Sequence, residues 1–360
     1  MTIQIPTYNE LIALRCAKKC LEFDYPKDRY EIIIGDDSDK PEISKKIDEF
    51  ASVHGIKVTR RGSNKGFKAG NLNHMLKFSK GEIIVIFDSD FVPQKDFLKK
   101  IVKPFLLDKK VGCVQARWSF INEKQNLVTR FASAIVMVYQ MLIAPINNAL
   151  QVPLLFGSGQ AIRKDLIKKL GGWQEWSLTE DVEFSVRVLK AGYKIVYLHD
   201  LTVKGEVPFT VNDLKKQQRK WAYGNFNAFI DHWKFILFGK FSIHQKTMLI
   251  MTLTGYISSI FLLIFILSGL IYFWTGEPMP FNFVKFSKET LKSILASSGF
   301  LLAMIFALKK QKKTDRLWQI IFGAFTVGII VTFGVASGIL NAILRKRLNW
   351  YVIPKKGKLR

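Results

Sequence analysis

The sequence predicts an α/β fold, a mainly parallel sheet covered by helices, followed by helices that cross a membrane. Two observations predict the first part. Continuous apolar runs of four to six residues alternate with helical periods up to residue 116, as in sheets buried on both faces. Polar clusters follow the runs, at the strand ends where such sheets bind ligands. A third observation predicts the membrane part. Apolar runs at 248–274, 291–308 and 317–344 are each long enough for a ~30 Å hydrocarbon core, which needs about 20 residues.

The elements follow in order. Residues 2–5 are β-rich and stop at Pro6, and 11–21 have a helical period. Residues 31–35 (EIIIG) form a strand that ends in an acidic turn. Residues 43–53 read as helix, 56–59 as strand, 67–78 as helix. The run 82–87 (EIIVIF) is a buried strand ending at Asp88. Helix is expected at 97–107 and strand at 111–116. Residues 131–156 are apolar but interrupted by Gln140, Pro145, Asn147, Asn148 and Pro153, and read as an interfacial amphipathic segment. A mixed stretch runs from 156 to about 228. The expected division is 1–130 and 131–243 for two halves of a catalytic domain, 244–344 for the membrane region and 345–360 for a basic cytoplasmic tail.

The chain has 360 residues, 49% of them apolar, enough for a sizeable core. Its net charge is +25, and the last 110 residues carry 15 basic and 3 acidic groups. Basic groups flanking apolar runs suit a bilayer with anionic headgroups. No nucleic-acid recognition motif accompanies them, so nucleic acid is not an expected partner. Cys16, Cys20 and Cys113 are odd in number and lack metal-ligand spacing, which argues against disulfides and structural zinc. The start, MTIQIPTYNE, reads as neither a signal peptide nor a span. The basic segment KKQKKTDR at 309–316 and the tail, with Arg345, Lys346, Arg347 and Lys355, should both face the cytoplasm. Three spans would separate them. The expectation is two spans, with a third segment that lies in the interface or doubles back, helped by Gly334, Ser337 and Gly338, unless the tail breaks the rule.

Several clusters carry chemistry. Asp88-Ser89-Asp90 puts two carboxylates at a strand's end, where they can share a divalent cation. A solvated turn has the same signature. Asp36-Asp37-Ser38-Asp39 follows another strand and also reads as a turn or helix cap. NKGFKAGNLN at 64–73 brings Lys65 and Lys68 to a helix start suited to phosphate, and reads equally as a solvated lysine turn. Asp181, after Glu180, is a helix-start carboxylate that serves either as a cap or as a general base. QQRKW at 217–221 supplies amide, cation and indole on one helix, a pattern that a surface helix with one buried Trp also shows.

In order, the pieces IPTYNE, GDDSD, GFKAGNLN, DSD, FGSGQAIRK, GGW, LTED, EVP, QQRKW and NWYVIPKKG resemble glycosyltransferase family 2. The resemblance is to its membrane-embedded branch, related to cellulose, glucomannan and hyaluronan synthases, and covers essentially the whole chain. It implies a GT-A domain that transfers a sugar, with inversion, from a UDP- or GDP-sugar to a growing β-linked polysaccharide or other glycan at the membrane. Transfer of one sugar to a lipid acceptor is the alternative it leaves open, and a silent membrane scaffold a weaker one. It implies donor contacts from Thr7, Tyr8, Glu10, Asp36, Asp37, Lys68 and Asp88, and Mg²⁺ or Mn²⁺ on Asp88 and Asp90. Asp181 is then the base, and Gly157, Ser158, Glu180, Gln217, Lys220 and Trp221 lie on the acceptor side. The sequence departs from the family pattern where Lys220 stands for Arg and Ile353 for Thr, and it starts without the span many relatives carry first.

Overall fold

A computed structural model describes residues 1–276, 282–349 and 351–355. Of the expected basic tail, residues 356–360 lie outside the described residues, as does Trp350 of the terminal motif.

The chain runs β1 (Thr2–Thr7), α1 (Ile12–Leu21), β2 (Glu31–Asp36), α2 (Pro41–His54), β3 (Lys57–Thr59), α3 (Phe67–Phe78) and β4 (Ile83–Ile86). Next come α4 (Phe97–Ile101), α5 (Lys103–Leu107), β5 (Val111–Phe120), α6 (Leu127–Val138), a π turn, and α7 (Ala144–Ala149). β6 (Gln160–Arg163), α8 (Lys164–Lys169), α9 (Glu180–Lys190), β7 (Lys194–Gly205) and α10 (Val211–Phe238) complete the sheet region. The last helices are α11 (Ile243–Thr254), α12 (Ser258–Thr275), α13 (Phe283–Lys310), α14 (Leu317–Gly323) and α15 (Ile329–Ile343).

The strands form one sheet in the order β3-β2-β1-β4-β6-β5-β7. All pairs are parallel except those of β6, which is antiparallel to β4 and β5. Ile3, Ile5, Val85 and Phe87 pack on one face with α1, α2 and α4, and Ile33, Ile84 and Ile86 on the other with α3 and α9. This double burial explains the continuous apolar runs. From β1 the chain builds β2 and β3 outward on one side and β4 on the other. Ligands collect at such a switch point, outside the strand ends.

The sequence reading needs correction in three places: the helix at 97–107, the strand from Val111 and the last apolar run. The helix expected at 97–107 is broken, because Pro104 removes an amide donor at the start of α5. The strand from Val111 continues to Phe120, paired with β7. The segment expected to be interfacial is helical throughout, over Leu127–Ala149, a stretch that by length and composition is also apolar enough to span. Its inner face lies against α10, α14 and α15, where Phe131, Ala134 and Val138 join a third core with Leu214, Val331 and Ile339. Gly334 and Gly338 do not break the last run. They let α15 lie against α10, where a side chain would strike Lys215 and the Arg219 carbonyl.

Ion pairs hold both ends of the last apolar run. The stretch Thr314–Ile343 is also long and apolar enough to span, yet both ends are tied to the sheet domain. Arg316 and Lys313 pair with Glu123 at 3.2 and 2.7 Å, and Arg345 pairs with Asp231 at 2.9 Å. α15 packs along α10. The stretch Ile243–Thr275 contains α12, whose exposed face carries Phe261, Phe265 and Leu270. The run 291–308 falls within α13, several of whose side chains lie outside the described residues.

α9 is fixed from below. Arg187 clamps Glu183 at 2.7 Å, and His232 of α10 meets the same carboxylate at 3.1 Å. Burial alone would raise Glu183, but His232 and Arg187 outweigh it and hold its carboxyl below the usual range. This stabilisation is complete above the ordinary carboxylate pKa and is lost as pH falls through the lowered value. Arg187→Leu leaves Glu183 buried without its main partner, and is expected to cost about 3–5 kcal/mol by denaturant unfolding in detergent.

Candidate active site

The ends of β1, β2 and β4 open into one cavity of about 1330 Å³. β1 and β2 run in register to Thr7 and Asp36, so the residues that follow them emerge side by side. Thr7 donates to the Glu10 carbonyl at 3.1 Å, and the Tyr8 hydroxyl donates to Asp39 at 2.9 Å. Asp37 lines the cavity and is gripped by Arg61 at 2.6 and 2.9 Å. Burial raises its carboxyl in spite of Arg61.

Asp36 differs from the sequence expectation. Its carboxylate accepts from Ser38, Ser44 and Arg60, is fully buried, and does not line the cavity. It ties the β2 turn to α2 and the Arg60 strand end, so its orientation does not match the donor contact that the family resemblance implies.

The first turn of α3 delivers Lys68 into a ring of oxygens. Its ammonium lies 2.7 Å from Asp88, 3.2 Å from Glu180 and 2.7 Å from the Gly157 carbonyl. Burial opposes its charge, but Asp88, Glu180 and Asp181 outweigh that and hold the pKa above the usual lysine value. Gly157 has φ +86°, and a Cβ there would press on both Asp181 and Lys68, so glycine is required on both counts. Ser158 accepts from the Asp88 amide at 2.9 Å, linking β6 to the DSD turn.

Asp181 sits at the start of α9, 9% exposed. Burial, and then the Glu180 carboxylate, push its carboxyl up to about 7. Lys220, Gln217 and Trp221 line the same cavity from α10. Burial lowers the Lys220 ammonium against the pull of Glu180 and Asp181.

Asp90 is nearly inaccessible. One oxygen accepts from the Glu206 amide at 2.8 Å, and the other meets the Lys355 ammonium at 2.6 Å. Lys355 is brought there by the terminal segment, which Tyr351 pins to α10 through Asp213 at 2.8 Å. Ser89 donates to Glu10 at 2.6 Å, and burial pushes the Glu10 carboxyl up to about 7 against the pull of Lys355. Among the described residues, no three His, Cys, Asp or Glu side chains form a metal cage. Asp88 and Asp90 nevertheless suit a hard divalent cation completed by oxygens of a diphosphate. Both already hold a positive charge, Lys68 on one and Lys355 on the other.

Sequence reasoning gave no role to Arg15 and Glu206, a pair at 2.9 Å with both side chains about 5% exposed, which brace Asp90 from behind. The signal was present. Arg15 lies on the apolar face of α1, between Ile12 and Cys16, where an unpaired charge is rare.

The chain matches the family described as Glycosyl transferase family group 2 over residues 83–308. It belongs to that family. Among its relatives, the probable glucomannan 4-beta-mannosyltransferase 7 of Oryza sativa subsp. japonica is 36% identical over 239 residues, covering 63% of this chain and 40% of the relative. Glucomannan 4-beta-mannosyltransferase 2 of Arabidopsis thaliana is 33% identical, covering 63% and 44%. The chain thus spans less than half the length of these relatives. A solved structure of the mannosyltransferase PcManGT from Pyrobaculum calidifontis, in complex with GDP-Man and Mn²⁺, superposes with a TM-score of 0.69 at 19% identity, over 96% of this chain and 87% of that one. That likeness shows the fold. The sheet with its strand-end cavity is the GT-A arrangement of this glycosyltransferase family.

Proposed function

We propose that this glycosyltransferase moves a mannosyl group from GDP-mannose to a hydroxyl of a glycan at the membrane surface, inverting the anomeric carbon. The names of the plant relatives support mannose, and the family supports a nucleotide-sugar donor. The observation that carries the reading is one cavity holding Asp181, Lys68, Asp88 and Asp90. Residues 1–130 serve mainly the donor, 131–243 the acceptor side and 244–344 the membrane, with the sheet domain on the cytoplasmic face.

In the reaction, Asp181 takes the proton of the acceptor hydroxyl as its oxygen bonds to the anomeric carbon. The bond from that carbon to the diphosphate breaks on the opposite face, and GDP leaves with the electron pair. Asp37, Thr7 and Tyr8 are placed for the nucleoside. Lys68 is placed for the diphosphate charge, where a fixed cation in a water-poor site acts most strongly. Asp88 and Asp90 would hold Mg²⁺ or Mn²⁺, which offsets charge developing on the leaving group. Glu180 holds Lys68 in place at 3.2 Å.

A panel of radiolabelled GDP- and UDP-sugars incubated with the purified protein and a membrane extract tests this. GDP-mannose is expected to label a glycan product. Labelling from a UDP-sugar alone would contradict the donor assignment, and turnover of no donor would contradict the reaction.

A further inference from the structure

A second cavity lies where the sheet domain meets the apolar helices. Its walls come from the end of β5, from α6 and from the turn between α13 and α14. Four cations line it, Arg117, Arg130, Lys313 and Arg316, against Glu123 as the one carboxylate among the described lining residues. Lys313 and Arg316 already share Glu123, at 2.7 and 3.2 Å. Arg117 and Arg130 are held only by neutral oxygens, the His199 carbonyl at 2.8 Å and the Gln319 amide at 2.6 Å. Positive charge is therefore in excess, and the Arg316 side chain is only 11% exposed. Like charges crowded at a half-buried junction repel one another unless an anion joins them.

A second observation is a donor without an acceptor. Ser119 lies two residues from Arg117 on β5, so both side chains leave the same face of the strand. The Ser119 hydroxyl is buried and has no hydrogen-bond partner, and the residue lines the cavity. A buried polar atom left unpaired is costly, and one beside a cavity points to a ligand that pairs it. Guanidinium groups and a hydroxyl donor are the partners a phosphate takes. The cavity volume is about 30 Å³, room for one oxyanion group and too little for a sugar or a nucleotide. Its opposite wall is apolar, with Met137, Leu308 and Ile320 from the helices. A cationic wall facing an apolar one matches the boundary between headgroups and acyl chains.

We propose that this cavity binds the headgroup phosphate of an anionic membrane lipid. The phosphate oxygens accept from Ser119, Arg117 and Arg130, and offset the charge that Lys313 and Arg316 bring beside Glu123. A choline headgroup would add another cation, so a zwitterionic lipid fits less well. The bound lipid fastens the α13–α14 turn to β5. It also braces the active cavity, because Trp118 lines both. The Trp118 indole donates to the Ser158 carbonyl at 2.8 Å, and the Ser158 hydroxyl accepts from the Asp88 amide. The site is independent of the donor and acceptor assigned above.

The test uses the full chain in nanodiscs of phosphatidylcholine, with or without phosphatidylglycerol. It reads the midpoint of thermal unfolding and the lipid retained in native mass spectrometry. A ligand of the folded state raises the midpoint, so phosphatidylglycerol should raise it and stay bound. Ser119→Ala and Arg130→Gln should each weaken retention about tenfold, the worth of one hydrogen bond to a charged group. Lys309→Gln removes an exposed charge outside the cavity lining and should change retention little. Equal losses from Lys309→Gln and Arg130→Gln would reduce the effect to diffuse surface charge and overturn the site. Inorganic phosphate, titrated into the protein in detergent, separates the two sources of the anion. If phosphate raises the midpoint there and phosphatidylglycerol does not in nanodiscs, the cavity belongs to a free ion and the lipid assignment falls. A midpoint indifferent to both would contradict the proposal outright.

Discussion

Asp181→Asn is expected to lower sugar transfer by about 10²–10⁴-fold, the usual cost of losing a general base, while nucleotide binding by the same sample stays near normal. The substitution keeps the size of the side chain and much of its ability to cap α9, but an amide does not accept the proton. Glu180→Gln should be milder, since Glu180 acts through Lys68. The pH profile gives an independent readout. Burial and Glu180 place the Asp181 carboxyl at about 7, and only the ionised form is a base. Activity should therefore rise with pH through about 7 and fall away below it. A purified, nucleotide-binding Asp181→Asn protein with near wild-type transfer would remove Asp181 from the mechanism.

Removal of the divalent cation should be equally severe. EDTA is expected to abolish transfer, and Mn²⁺ or Mg²⁺ to restore it. Asp90→Ala should lose both turnover and the metal-dependent part of nucleotide binding, measured by Mn²⁺ titration with and without GDP. Lys355→Ala frees the Asp90 oxygen that Lys355 holds at 2.6 Å, and should shift the titration the other way, toward tighter Mn²⁺ binding. Full activity in EDTA would contradict the assignment of Asp88 and Asp90.

The sequence made some of this legible for physical reasons. A buried parallel strand must be apolar throughout and must stop where the backbone meets water. The change from IIVIF to Asp88 therefore marks a strand end, and the helix expected at 67–78 is found at those limits. β6 was hidden because it is short and polar at both ends, Gln160 and Arg163. Its place comes from pairing between β4 and β5, which no local period records. Hydropathy could not separate a lipid-facing helix from one packed on protein. The run at 317–344 is as apolar as a span, and only the approach of Gly334 and Gly338 to α10 shows where it lies. Asp36 and Asp37 are neighbours with the same charge. The alternation of side chains at the strand end sends one into the α2 turn and the other into the cavity, where Arg61 fixes it. The Lys355 contact was equally out of reach, since it joins residues 265 positions apart.

The central claim is direct displacement in one cavity, with Asp181 activating a hydroxyl opposite the leaving GDP. The measurement that bears on it most directly is the anomeric configuration of the product formed from GDP-α-mannose, read by NMR of the new linkage. Single displacement requires a β-mannoside. An α-mannoside would mean retention, and would contradict the role given to Asp181.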